Sequence, residues 1–220
     1  MNQHLILYYK ERAKEYEKIY TKPERQGNLV SAENILQNLF NEKNILEIAC
    51  GTGYWTAKIA KTAKSIYASD VNETVIEIAR QKDLGDTVRF AVENLYNIEI
   101  KEKYEGLFGG FIWSHILIQD LDGFLETING ILPQDGLIVF MDNKFVEGSS
   151  TQIASTDQLG NTYQLRELEN GTTYSVLKNF PTQNLIIEKL SGIGTDIQFI
   201  NLEYYWIVSC RLNKSDSSYS

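Results

Sequence analysis

The 220-residue sequence has few cysteines, and it has no long apolar run. Two thiols, Cys50 and Cys210, cannot build a disulfide framework, which favours a reduced, cytoplasmic protein. The longest apolar runs, such as residues 108–113, fall far short of the roughly 20 residues that span a bilayer. Charged residues at 10–12 interrupt any stretch that a secretory signal would need. We therefore expect neither a signal peptide nor a membrane partner.

Basic residues are also scarce. Lys and Arg number 21 against 29 Asp and Glu, which gives a formal net charge of -8. A chain of this charge repels a phosphate backbone, so nucleic acid is a disfavoured partner. The apolar fraction of 43% and the charged fraction of 23% are those of an ordinary globular protein, and the length suits one hydrophobic core.

Residues 1–40 are predicted to be helical. Spacings of three and four gather one set of side chains on one side of the first helix: Leu5, Tyr8, Tyr9, Arg12 and Tyr16. Ser31 offers an N-cap for a second helix, whose apolar stripe runs to Phe40.

From residue 44 onwards, predicted strands and helices alternate. The strands are predicted at 44–49, 65–69, 88–92, 104–112 and 136–142, and the helices between them at 55–63, 72–81 and 121–131. This alternation indicates a parallel sheet with helices on both faces.

The last third of the chain has a different pattern. Asn170-Gly171 predicts a hairpin between strands at 163–167 and 172–176. A helix at 182–190 precedes two strands, at 196–200 and 203–212, whose very short connection requires an antiparallel pair. The main sheet is therefore expected to end in one reversed strand, and the polar residues 213–220 to form a frayed tail.

Glycines follow the first predicted strand, in the loop from Glu47 to Gly53. Ligands of open α/β sheets bind beyond the carboxyl ends of the strands. Gly51 and Gly53 lack a Cβ, so a ligand can press against this backbone. Thr56 occupies the third glycine position of a dinucleotide fingerprint, and the loop has no Walker lysine. Taken alone, the loop is also compatible with a plain tight turn.

An acidic residue follows the second predicted strand. Asp70 lies 17 residues after Gly53, and its carboxylate can accept hydrogen bonds from both hydroxyls of a ribose. The alternative is an N-cap for the next helix, although Asn72 is the better cap.

With these residues in place, the sequence resembles the class I S-adenosylmethionine (SAM)-dependent methyltransferases. Residues 45–53 resemble motif I, and Asp70 matches the acidic residue of motif II. Residues 88–95, 104–115 and 132–137 resemble the segments around the third, fourth and fifth strands. The resemblance implies an α/β, Rossmann-like fold: a seven-stranded, mostly parallel sheet with a reversed last strand and helices on both faces. It also implies an N-terminal helical lid at 1–40, a SAM-binding domain at 41–212 and the tail at 213–220.

The resemblance further implies transfer of a methyl group from SAM to a small-molecule acceptor by direct displacement, with S-adenosylhomocysteine (SAH) as product and no metal. The implied cofactor-binding residues are Tyr9, Arg12, Glu47, Ala49, Gly51, Gly53, Trp55, Thr56, Asp70, Val71, Glu93, Asn94, Leu95, Trp113 and Ser114. Asn94 stands where the family usually has Asp, and its carbonyl can still accept a hydrogen bond from the adenine amino group.

The acceptor side is predicted around His115, which follows the fourth strand. His115 is a candidate base or a group that orients the acceptor; the alternative is a histidine packed under a loop and bonded to backbone. Tyr16, Tyr20 and Asn143 are candidate acceptor contacts. Further candidates on this side are Trp113, Phe180, Tyr204, Tyr205 and Trp206, of which Trp206 is expected in the core.

The tyrosine-rich first helix is the candidate lid. The Tyr9 hydroxyl can reach the cofactor carboxylate, and Arg12 can pair with a carboxylate. Alternatively, the tyrosines pack on the sheet with their hydroxyls in water. Cys50 is predicted to be a small buried residue without a chemical role.

Two other functions stay open. One is a SAM-binding partner or sensor without catalysis. The other, an NAD-dependent oxidoreductase, is disfavoured by the missing third glycine and the reversed last strand. The sequence fixes neither the acceptor nor the oligomeric state.

Overall fold

The computed structural model describes residues 3–98 and 103–214. The helices are α1 Gln3–Arg12, α2 Gln26–Phe40, α3 Tyr54–Ile59, α4 Glu73–Arg80, α5 Leu121–Ile131 and α6 Gln183–Ser191. The strands are β1 Asn44–Ile48, β2 Ser65–Asp70, β3 Val88–Val92, β4 Gly106–Gly110, β5 Leu137–Asn143, β6 Ser155–Thr156, β7 Thr162–Glu167, β8 Thr173–Leu177, β9 Gly194–Asn201 and β10 Tyr205–Leu212. Two 3-10 segments, Ala13–Thr21 and Pro23–Arg25, connect α1 to α2.

Seven strands form the main sheet, in the order β3-β2-β1-β4-β5-β10-β9. Strands β1 to β5 run parallel to one another, whereas β10 runs antiparallel to both β5 and β9. The predicted Rossmann-like sheet with a reversed last strand is confirmed. The strand order reverses between β1 and β4, which is where open α/β sheets bind their ligands.

The core lies on both faces of this sheet because its central strands are buried on both sides. Successive residues of β5 alternate between two apolar clusters. Ile138 and Phe140 pack with α5 and α6, whereas Val139 and Met141 pack with α2 and α3. This burial on both faces explains why the central strands have the nearly continuous apolar sequence of a parallel sheet.

A second, three-stranded sheet lies apart from the first. The predicted hairpin forms β7 and β8, and the short strand β6 pairs with β7. The sequence did not predict β6 or a separate sheet. Leu5 and Tyr8 of α1 pack against Leu168 and Val176, so α1 and the hairpin form one covering layer.

Several predicted boundaries were wrong. Helix α2 begins at Gln26 rather than near Ser31, because the turn that starts at Pro23 continues directly into it. Ser31 lies inside this helix, and its hydroxyl donates to the Gly27 carbonyl instead of capping. Helix α1 ends at Arg12, so Tyr16 lies on a 3-10 segment and not on the same α-helix as Tyr9.

The predicted cap at Asn72 is confirmed, since its side chain accepts a hydrogen bond from the Thr74 amide. Within residues 3–98 and 103–214, no helix has both the length and the apolar character needed to cross a bilayer. Residues 215–220 of the predicted tail lie outside the described part of the chain.

Candidate active site

A cavity of about 400 Å³ lies at the carboxyl edge of the main sheet, where the strand order reverses. We call it the main cavity. Loops after the first four strands line it with Ala49, Gly51, Asp70, Val71, Glu93, Leu95, Gly110, Phe111 and Ile112. Leu5, Ile6, Tyr9 and Tyr16 close it from the N-terminal side. Its volume falls within the range of roughly 300–1,000 Å³ that is usual for small-molecule sites.

Backbone strain marks the two loops at the centre of this edge. Ala49, directly after β1, has a φ of 52°, and Phe111, directly after β4, has a φ of 61°. Residues other than glycine adopt this left-handed conformation at a cost of order 1–3 kcal/mol, and such strain clusters at functional sites. Phe111 is fixed by its amide, which donates to the Met141 carbonyl at 2.6 Å. Both strained residues line the main cavity.

Asp70 joins the loops after β1 and β2. Its carboxylate accepts hydrogen bonds from the Gly51 amide at 3.0 Å and from the Asn72 amide at 2.9 Å. Burial raises the pKa of Asp70, while these amides oppose the rise. Each oxygen retains a further lone pair for a ligand hydroxyl, so the geometry is compatible with the predicted ribose contact.

Two other carboxylates at this edge have unsatisfied oxygens. Glu47 is buried beneath the β1 loop, and its Oε2 has no partner within the described residues. Burial raises the pKa of Glu47 to about 8, with a smaller contribution from Asp70. Glu93 accepts from the Tyr67 hydroxyl through Oε1, and its buried Oε2 is likewise without a partner there. Glu93 lines the main cavity, so its unsatisfied oxygen fits a hydrogen-bond donor of a ligand there, whereas Glu47 does not line the cavity.

A second, smaller chamber of about 90 Å³ adjoins the main cavity. We call it the cationic chamber because Arg12, Lys22, Arg25, Arg166 and Lys178 line it. Four residues line both spaces and therefore form their common wall: Tyr9, Tyr16, Phe111 and His115.

His115 is hydrogen-bonded at both ring nitrogens. Its Nδ1 lies 2.6 Å from the Leu177 carbonyl oxygen, and its Nε2 lies 2.6 Å from the Tyr9 hydroxyl. Because a carbonyl only accepts, Nδ1 carries the hydrogen, and Nε2 accepts from Tyr9. Burial lowers the pKa of His115 to about 3, with a further contribution from the Lys178 cation. The imidazole is thus neutral near pH 7.

An ion pair lies behind His115. The Lys178 ammonium donates to Asp142 at 2.9 Å and to the Ser114 hydroxyl at 2.6 Å, and the Ser114 amide donates to the second Asp142 oxygen. Burial alone would raise the pKa of Asp142, but Lys178 and these hydrogen bonds hold it below its usual value. This network fixes the turn that presents His115.

The N-terminal segment is attached to the loop after β1. Glu17 accepts from the Thr52 hydroxyl at 2.7 Å and pairs with Lys82 at 2.8 Å. Tyr20 stacks on Tyr54 with ring centroids 3.8 Å apart. The segment therefore covers the sheet edge as the predicted lid would.

The structure brings nine of the predicted site residues to the main cavity: Tyr9, Tyr16, Ala49, Gly51, Asp70, Val71, Glu93, Leu95 and His115. Arg12, Tyr20, Asn143, Phe180 and Tyr205 line the cationic chamber instead.

The other predicted residues line neither space. Trp55 packs among Tyr20, Tyr54 and Phe111, and Trp113 packs against Phe140 and Trp206 in the core. Glu47, Gly53, Thr56 and Ser114 are buried behind the loops, and Tyr204 packs on Arg25.

Asn94 does not line the main cavity either. Its Oδ1 accepts from the Tyr96 amide and caps the turn Leu95–Asn97. The predicted hydrogen bond from the adenine amino group would therefore compete with this cap for the same Asn94 oxygen. The predicted core position of Trp206 is confirmed, whereas Cys50 is only half-buried.

Sequence reasoning missed most of the cationic chamber. Arg25, Arg166 and Lys178 come from three distant segments, and no spacing relates them to motif I. Phe111 was also missed, because its residue type does not indicate a left-handed backbone. For Asp142, the signal available was its position at the end of the fifth predicted strand.

Comparison with known proteins gives a sequence match and a fold match. Residues 45–136 match the family model described as "Methyltransferase domain". An uncharacterised methyltransferase from Bacillus cytotoxicus is 22% identical over 181 residues, which cover 80% of this chain and 82% of that protein. A malonyl-[acyl-carrier protein] O-methyltransferase from Ilyobacter polytropus is 33% identical over 104 residues, which cover 44% of this chain and only 37% of that protein.

Two solved structures show the same fold at low sequence identity. The complex of DhpI with SAH superposes with a TM-score of 0.78 at 22% identity and covers 97% of each chain. The 1,6-didemethyltoxoflavin-N1-methyltransferase of Burkholderia thailandensis superposes with a TM-score of 0.64 at 16% identity, covering 96% of this chain and 88% of that one.

Residues 45–136, which contain the loop after β1, are therefore similar to methyltransferase domains, and the sheet has the order of a Rossmann-like methyltransferase fold. The chain is thus similar to methyltransferases in sequence over this segment, and to DhpI in complex with SAH or SAM in fold.

Proposed function

We propose that the enzyme transfers the methyl group of SAM to a small-molecule acceptor held in the cationic chamber. The observation that carries this proposal is the common wall of Tyr9, Tyr16, Phe111 and His115. A group in either space contacts the same four side chains, so donor and acceptor can meet there. The lid over 3–21 and the small volume of the chamber favour a small acceptor over a macromolecule.

The groups that border the main cavity support SAM as the methyl donor bound there. Asp70 would accept the ribose hydroxyls, the loop at 49–53 would border the methionine part, and Glu93 and Leu95 would border the nucleoside. The bound sulfonium supplies an electrophilic methyl group. The remaining contribution of the protein is alignment, which can lower a barrier by several kcal/mol.

His115 and Tyr9 would orient the acceptor rather than remove its proton. A histidine with a pKa near 3 is a weak base, whereas its neutral Nε2 is a good hydrogen-bond acceptor. Tyr9 occupies that nitrogen in the structure, and burial raises the pKa of Tyr9 well above its usual value. A hydrogen-bond donor on the methyl acceptor can therefore replace the Tyr9 hydroxyl at Nε2 of His115.

Isothermal titration calorimetry with SAM, SAH and NAD tests the cofactor site. We expect micromolar binding of SAM and SAH and no binding of NAD. Asp70→Ala should weaken SAM binding more than tenfold, because it removes the ribose acceptor. Glu77→Gln, an exposed carboxylate change on α4, is the control. Unchanged SAM affinity in Asp70→Ala would reject the ribose assignment.

A coupled assay of SAH release against a panel of small metabolites tests transfer itself. Turnover with a small acceptor supports the proposal. Tight SAM binding without turnover on any acceptor class would instead favour a SAM-binding partner or sensor.

A further inference from the structure

The cationic chamber concentrates positive charge inside an acidic protein. Five cationic side chains line about 90 Å³, and among the described residues no Asp or Glu lines it. The chain as a whole has a net charge of -8. The local charge is therefore opposite in sign to that of the protein.

One of the five cations is neutralised by a carboxylate. Lys178 pairs with Asp142, which lies behind the chamber wall. Arg12 donates to the Tyr8 hydroxyl, Arg25 to Ser149 and Asn143, Arg166 to Gln164, and Lys22 to the Ser149 carbonyl. Within residues 3–98 and 103–214, none of these four is in an ion pair.

These cations are partly or fully withdrawn from water. Arg25 is only 8% exposed, and Arg12, Lys22 and Arg166 are half-buried. Burial lowers the pKa of Arg166, and the neighbouring Arg12 and Arg25 add to this effect while Tyr8 and Tyr9 oppose it. A charge taken out of water is unfavourable unless a counter-charge or hydrogen bonds compensate it, so an anion in the chamber would stabilise Arg166.

Arg166 also has an unused donor. Its Nε is buried and has no hydrogen-bond partner within the described residues. Arg166 lines the chamber, and a guanidinium with an unsatisfied donor can bind an oxyanion through parallel hydrogen bonds.

From the chamber's charge, volume and free donor, we infer that the acceptor is a small molecule with an anionic oxyacid group, a carboxylate or a phosphate or phosphonate. Arg166 and Arg25 bind this group, and the rest of the acceptor faces the wall of Tyr9 and His115. The inference rests on the proposed function, because it names the substrate class of that site. The carboxylate of SAM does not account for the chamber: if Arg12 bound it, Arg166 would still lack a counter-charge, whereas Lys22 and Arg25 interact with Glu24.

Calorimetry on the SAH complex, in a chloride-free buffer without phosphate, tests the inference. The probes are malonate, inorganic phosphate and methylphosphonate, with uncharged malonamide as the matched neutral compound. We expect at least one anion to bind with millimolar or tighter affinity and malonamide not to bind. If malonate alone binds, the anionic group of the acceptor is a carboxylate. If inorganic phosphate and methylphosphonate bind instead, it is a phosphorus oxyacid.

Arg166→Gln should weaken anion binding at least tenfold and change SAH affinity less than threefold. Arg166→Lys keeps the charge but not the parallel donors, so it should retain part of the binding, and it guards against misfolding. Arg211→Gln on β10 removes a cation outside the chamber and should have no effect.

Three results would overturn the inference: no anion binds, malonamide binds as well as malonate, or Arg166→Gln weakens SAH binding as much as anion binding. The last result would assign the chamber to the cofactor carboxylate. Failure of SAH to bind the unmodified enzyme would refute the proposed function instead, and anion binding measured without SAH separates the two failures.

Discussion

Glu47 makes the stability of the cofactor-free protein depend on pH. Its pKa is about 8 in the folded protein against 4.5 as the ordinary value. The folded state therefore binds the proton more tightly than the unfolded state does. The stabilisation that this proton gives to the folded state is complete below pH 4.5 and is lost as the pH rises towards 8. From these two values, the buried carboxyl destabilises the fold by about 1 kcal/mol at pH 5 and by about 3 kcal/mol at pH 7 relative to acid conditions.

Glu47→Gln removes this titration while keeping the shape of the side chain. Urea unfolding without cofactor should therefore show the variant gaining about 2 kcal/mol over the unmodified protein between pH 5 and pH 7. Glu77→Gln, which changes an exposed carboxylate, should show no such gain. Parallel pH dependences for the unmodified protein and Glu47→Gln would refute the raised pKa.

Three other predictions concern the site and its supports. Gly53→Ala should destabilise the protein by about 1–3 kcal/mol in thermal unfolding, because φ is +75° and the new Cβ would lie 3.1 Å from the Ala79 Cβ; a neutral result would contradict the tight packing. His115→Gln should lower turnover in the SAH-release assay while SAM affinity stays within threefold of that of the unmodified enzyme. The kcat of the unmodified enzyme should show no histidine ionisation from pH 6 to 9. Full turnover in the variant would refute a role for His115 in the site. Lys178→Met should lower the free energy of unfolding in urea by about 3–5 kcal/mol, because Asp142 would be left unpaired. Adding Asp142→Asn to this variant should recover much of the loss. Equal instability of the single and double variants would argue against the ion pair.

The parts of the fold that depend on local pattern could be predicted from the sequence. Buried parallel strands give apolar runs, and residues such as Gly51 and Asp70 follow them directly, so the sheet edge could be located before the structure was known. The antiparallel end of the sheet followed from the short connection between β9 and β10. These features depend on a few neighbouring residues, and tertiary contacts did not override them.

Features that depend on distant contacts could not be predicted in this way. The start of α2 was misplaced because a 3-10 turn at Pro23 merges with the helix, and no capping residue marks that junction. The chamber brings Arg12 and Arg25 together with Arg166 and Lys178, which are more than 130 residues away in sequence. Only the packing of the N-terminal layer on the hairpin creates that cluster.

The common wall also constrains the order of events in a catalytic cycle. Tyr9 and Tyr16 belong to the N-terminal segment and contact both spaces. If SAH occupies the main cavity as proposed, any displacement of this segment that releases it also removes one side of the cationic chamber. Cofactor exchange and acceptor retention would then be mutually exclusive, and both products would leave in the same opening event.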